Sequence, residues 1–128
     1  MIGYVTIGTD DFDKALPFYE GVFGAIGGER KSFDGGWGFY GDKEGDGDVG
    51  ICKPHDGQAA RAGNGIMIAF KANATGDVKA AYEAGLKNGG KDEGAPGPRP
   101  ADSKTFFGAY LRDPTGNKLC VFWRPAAA

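Results

Sequence analysis

Tyr4-Val5-Thr6-Ile7-Gly8 and Met67-Ile68-Ala69-Phe70-Lys71 open the two halves of the chain, and the same order of elements follows each. Alternation puts Val5 and Ile7 on one face of the first stretch and Tyr4 and Thr6 on the other. Asp11 or Asp13 can cap the helix that follows, whose Ala15, Leu16, Phe18, Tyr19, Val22 and Phe23 recur at helical spacing until Gly24 ends it. Pro17 lacks a backbone donor, so it must lie near the first turn or bend the helix. Apolar runs at 37–40 and 49–52, separated by turn residues, predict a meander of antiparallel strands.

The second half repeats this order. A strand is predicted from 65 to 71, with Ile66, Ile68 and Phe70 opposite Met67, Ala69 and Lys71. Thr75 can cap the next helix, with Val78, Ala81, Tyr82 and Leu86 on one side and Asn88-Gly89-Gly90 as its stop. The run Gly94-Ala95-Pro96-Gly97-Pro98-Arg99-Pro100 is too rich in proline for a central strand and reads as an extended loop. A final hairpin, 105–112 and 118–123, closes on Asp113-Pro114-Thr115-Gly116-Asn117, where glycine supplies a positive φ. It sets Leu119, Val121 and Trp123 against Cys120, Phe122 and Arg124.

At 128 residues the chain predicts one domain, 1–128, made of two modules at about 1–56 and 64–128. A formal charge of −2 without a Lys/Arg cluster argues against nucleic acid as a partner. No apolar run approaches the roughly 20 residues that span a bilayer, and the first residues lack a signal-peptide pattern, so a cytoplasmic protein is expected. Cys52 and Cys120 lack CxxC spacing and read as free thiols. The acidic stretch 43–48 lacks the register of an EF-hand and reads as a polar turn. His55, the single histidine, falls in the loop between the halves and reads as solvated.

The doubled order of elements, the helix carrying Phe18-Tyr19 up to Gly24, and the turn Asp113-Pro114-Thr115-Gly116-Asn117-Lys118-Leu119 together resemble the vicinal oxygen chelate superfamily, which includes glyoxalase I, bleomycin-resistance proteins and extradiol dioxygenases. The resemblance implies an α+β fold in which two βαβββ modules form a curled mixed-sheet cup with helices outside. In the enzymes a divalent metal is held on the inner face. The resemblance puts a His or Gln at the Tyr4 position, a His at Met67 and a Glu at Cys120, with a further Glu at either Gly50 or Cys52.

None of the three aligned positions carries the usual ligand, and a phenol and a thioether are feeble ligands for Fe, Mn, Ni or Zn. No metal and no cofactor are therefore expected, although Cys52, Met67 and Cys120 could converge on a soft ion if they do more than fill space. Tyr4, Thr6, Trp37, Met67, Phe107, Cys120 and Phe122 are the candidate ligand-binding residues, with Tyr40, Tyr110, Arg99 and Arg112 as further contacts. The expected function is binding of a small organic molecule in the cup by a homodimer. Drug-sequestering members, by the same resemblance, have acidic clefts for a cationic drug, and the chain's charge is compatible with one. The alternative is a lyase, isomerase or dioxygenase-type enzyme with an atypical or metal-independent site, in which Tyr4 or Cys120 would serve as acid or nucleophile; no catalytic residue is identified.

Overall fold

The computed structural model describes residues 1–126. The first module contains β1 (Val5–Gly8), α1 (Phe12–Ala25), β2 (Gly28–Asp34), β3 (Trp37–Asp42) and β4 (Val49–Cys52). The second contains β5 (Ile68–Lys71), α2 (Thr75–Lys87), β6 (Lys91–Pro98), β7 (Phe107–Arg112) and β8 (Lys118–Trp123). Each module forms a mixed four-stranded sheet, in the orders β1-β4-β3-β2 and β5-β8-β7-β6. In each, the first strand runs parallel to the last and the other pairs are antiparallel. The fold is α+β, two βαβββ modules with open, curled sheets. No helix among the described residues is long and apolar enough to cross a membrane.

Both helices lie on one side of the sheets, over a single core that takes residues from both modules. Asp11 caps α1 by accepting from the Lys14 N–H, and the apolar stripe Ala15, Leu16, Phe18, Tyr19, Val22 and Phe23 is buried as its spacing requires. Gly24 does not end the helix. The chain runs on through Ala25 to an Ile26 cap, and Gly27, at φ 87°, makes the turn that a β-carbon would strain. Pro17 sits inside α1 on its exposed side, where the hydrogen bond it cannot make faces solvent.

Ala74, without a side-chain bond, is the cap residue of α2, and Thr75 is already helical. Leu86, expected on the buried side, is 38% exposed. Gly85 takes the contact with the other helix. A β-carbon there would stand 2.8 Å from Leu111 and 3.1 Å from Phe18, so its absence lets α1, α2 and β7 close together.

Two strands went unread in the sequence. Gly28–Asp34 is polar apart from Phe33, and it forms β2 because an edge strand paired only with β3 needs no continuous apolar face. The proline-rich run read as a loop is mostly β6, also at an edge, with register shifts at Gly94 and Gly97 that let Pro96 and Pro98 sit in a strand without breaking the ladder. The fifth strand starts at Ile68, later than expected. Ile66 therefore precedes it and is 65% exposed, outside the core its alternation suggested.

The terminal turn ties the modules together. Asp113 is 3% exposed, and its Oδ1 accepts the N–H groups of Thr115, Gly116 and Asn117, each at 2.9 Å. Its Oδ2 accepts the Tyr19 hydroxyl from α1 at 2.6 Å and the Asn117 amide at 2.9 Å. Asn117 also donates to the Gly8 carbonyl at the end of β1, at 3.0 Å. Burial, followed by the neighbouring Asp113 charge, holds the Tyr19 phenol well above its ordinary pKa. Stability from a raised phenol is complete below the unfolded-state value of about 10 and is lost as pH rises above it. Tyr19→Phe is expected to cost about 1–3 kcal/mol in urea melts at neutral pH and to flatten the loss of stability above pH about 10. An unchanged alkaline limb would show that Tyr19 does not govern it.

Candidate functional site

The face of each sheet turned away from the helices is open, and strand register decides which side chains reach it. Parallel pairing puts Thr6 beside Gly50 and Gly8 beside Cys52, while β3 sets Phe39 opposite Gly50 and Trp37 opposite Cys52. Trp37 and Phe39 stack with ring centroids 5.6 Å apart and planes 9° apart, and Tyr4 meets Phe39 edge-on at 6.0 Å. A β-carbon on Gly50 would lie 3.1 Å from Phe39 and 3.3 Å from Trp37. The missing side chain is what lets both rings lie down over β4. The result is an aromatic bed in which Tyr4 is 60% and Trp37 39% exposed.

The second module presents a different surface. Tyr110 stands opposite Cys120, Gly108 opposite Phe122, and Arg112 opposite Lys118. Phe106 stacks on Phe122, centroids 5.5 Å and planes 8° apart, over the space left by Gly108. Arg99, Lys118 and Arg124 add positive charge, and Arg112 is paired with Glu93. A cleft of about 180 Å³ at the seam between β1 and β5 is lined by Thr6 and Gly8 of the first module and Lys118 of the second. The formal charge of −2 thus does not describe this surface, on which Arg99, Lys118 and Arg124 are gathered.

Six of the seven candidate residues fall on these open faces or beside them: Tyr4, Thr6, Trp37, Met67, Cys120 and Phe122. Met67, just before β5, is 43% exposed, whereas Cys120 is 1% exposed and forms part of the floor. Phe107 faces the other way. It pairs with Trp123, packs against the shared core and lies under Lys79 of α2. The alternating neighbour Phe106 takes its place on the open side. Phe39 was also missed, although it lies two residues from Trp37 on the same face; Tyr40, considered instead, is buried with its hydroxyl on Glu20.

The sequence model of the Glyoxalase/Bleomycin resistance protein/Dioxygenase superfamily matches residues 1–121. The chain belongs to this superfamily. It is similar to a glyoxalase/bleomycin resistance protein from Albidiferax ferrireducens T118, with 35% identity over 96% of this chain and 98% of that one and a TM-score of 0.85. Fosfomycin resistance protein FosX from Mesorhizobium loti shares the fold at 19% identity, covering 98% of this chain and 92% of its own, with a TM-score of 0.68. So does a glyoxalase/bleomycin resistance protein/dioxygenase family enzyme from Burkholderia phytofirmans PsJN, at 17% identity, 97% and 98% coverage and a TM-score of 0.70. No curated protein matches the chain.

For this member of the superfamily, register settles the open alignment on β4: Gly50 stands beside Thr6 as Cys120 stands beside Ala69, so Gly50 is the internal counterpart of Cys120. The four positions at which the resemblance implies metal ligands are then Tyr4, Gly50, Met67 and Cys120. They do not fit a divalent cation, because one has no side chain, one is a phenol, one is a thioether and the last is a buried thiol. Among the described residues, no group of three or more His, Cys, Asp or Glu side chains is arranged to hold a metal ion.

Burial raises the pKa of both thiols, and for Cys120 it outweighs the opposing pull of a hydrogen bond with Tyr110 and of the Arg99 and Lys118 charges. His55 is exposed in its loop. Iodoacetamide at pH 7.5 should therefore leave both cysteines of the native protein largely unlabelled over a period that labels both in guanidinium, as read by intact mass. Rapid labelling of native Cys120 would restore it as a candidate nucleophile.

Proposed function

We propose that this protein binds a flat aromatic small molecule on the open faces of its two modules, without the superfamily's divalent metal, and acts as a homodimer. The observation that carries this reading is the Trp37–Phe39 stack lying over Gly50, with Tyr4 at its edge. Aromatic rings fixed side by side on an accessible sheet offer a broad apolar surface to another ring, and such contacts contribute about 0.5–1.5 kcal/mol each beyond area burial. The ligand positions of the metal enzymes support the metal-free part, since their side chains here are poor donors for a divalent ion. An enzyme working through Cys120 is disfavoured by the burial that keeps its thiol protonated.

The homodimer is inferred from exposure. Tyr4, Trp37, Ile66 and Met67 leave much apolar surface uncovered in one chain, and a second copy is an economical cover that would also deepen the site. Sedimentation equilibrium should give twice the chain mass of 13.4 kDa. A monomer at micromolar concentration would remove the dimer from the proposal.

Ligand and metal are separated by a thermal-shift experiment on protein purified without chelator. 2-Naphthol should raise the melting temperature by mass action, and Trp37→Ala should weaken its binding about 3–10-fold. Ni, Zn, Mn and Fe(II) should leave the melting temperature unchanged. Stoichiometric metal retained through purification would overturn the metal-free reading.

A further inference from the structure

On the open face of the second module, two cations approach one ring, and neither forms an ion pair. The Arg99 guanidinium carbon and the Lys118 ammonium nitrogen each lie 5.8 Å from the centre of the Tyr110 ring. The ion pairs formed among the described residues engage Arg30, Lys31 and Arg112, and neither of these two cations. Glu93, the nearby acid, is paired with Arg112, and the Lys118 charge acts on it more weakly, without an ion pair.

Arg99 is held in place. Its Nη2 donates to the Ala95 carbonyl at 2.6 Å and its Nη1 to the Pro98 carbonyl at 3.2 Å. The guanidinium lies over two glycines of β6: a β-carbon on Gly97 would stand 3.0 Å from Nη1, and one on Gly94 would stand 3.5 Å from Nη2 and 2.9 Å from the Tyr110 ring. Two of five N–H donors are used, so three remain for a ligand in a fixed planar fork. Lys118 reaches the same ring and also lines two clefts, one at the β1–β5 seam and one beside Met67 and Arg112. Neither cation is neutralised by an ion pair of its own, so an anion bound beside Tyr110 would gain charge-assisted contacts from both.

We propose that Arg99 and Lys118 form an oxyanion subsite that receives the carboxylate or phosphonate head of an aromatic acid, with Tyr110 as its wall. This rests on the aromatic-ligand reading above and names the class of ligand. The next rung along the strands is the Gly108–Phe122 pair, about 7 Å away at two residues' rise, with the Phe106–Phe122 stack beside it and Arg124 over Phe122. A ligand whose charged head and ring are separated by about that distance spans both rungs.

Isothermal titration of the full chain with 4-phenylbutanoate, its neutral amide and 4-phenylbutan-1-amine tests the subsite. The acid should bind about tenfold more tightly than the amide, and the amine more weakly than either. Arg99→Gln and Lys118→Gln should each reduce acid affinity to near that of the amide while changing amide affinity much less, and Lys118→Arg should keep the preference. Raising salt should weaken the acid alone. An acid that binds the unsubstituted protein no better than its amide overturns the subsite and leaves the aromatic bed standing, as does a preference that survives loss of both cations. Failure of all three compounds to bind also overturns the subsite, while the aromatic reading itself stands or falls on the 2-naphthol experiment.

Discussion

The buried carboxylate of Asp113 is the constraint on which the two-module arrangement rests. Five donors point at its two oxygens: three backbone N–H groups of its own turn, one side-chain amide, and a hydroxyl from a helix of the other module. An ionised carboxylate can accept that many bonds, and a buried one needs most of them, because unpaired charge in the interior is costly. The Asp113 carboxylate has its full set of donors only with α1 alongside, and Asn117 carries a similar tie to the end of β1. Packing of the modules and closure of the final hairpin therefore stabilise one another.

With α1 and α2 packed through glycine and alanine contacts, the helix-facing sides of both sheets converge on one core. The opposite sides cannot join it. They carry large side chains that would be buried in many folds of this size, and here they lie in pairs on an open surface: Trp37 on Phe39, Phe106 on Phe122. Stacking removes some apolar area from water while leaving ring faces accessible, as a binding surface requires. Glycines 50 and 108 serve the same end in the two modules, since each leaves the space into which a neighbouring ring lies.

The legible and illegible parts of this chain differ by a physical criterion. Alternation read the faces of β1, β5 and β8 correctly because each has one side in the core, and that side must be apolar. It could not find β2 or β6, which lie at sheet edges and are specified by backbone pairing with one neighbour and not by a buried face. Alternation was also the signal that would have separated Phe106 from Phe107: residues 109 and 111 are core positions, so 107 shares their side and 106 does not. The alignment of Gly50 needed more, because a two-residue choice on one face leaves alternation unchanged and only the pairing with β1 resolves it.

The sequence by itself determined the order of elements, the helix-facing side of the central strands, the terminal turn and the absence of good metal donors at the superfamily's ligand positions, because each of these is set by residue type at local spacing. Tertiary structure alone decided that a chain of net charge −2 gathers cations on the second module's sheet, that Arg99 from a proline-rich edge and Lys118 from a central strand both reach the Tyr110 ring, and that Cys120 is buried opposite Tyr110 with its thiol pKa raised. Those depend on which strands become neighbours and which side chains lose contact with water. Both follow from packing between distant segments and not from the spacing of residues along the chain.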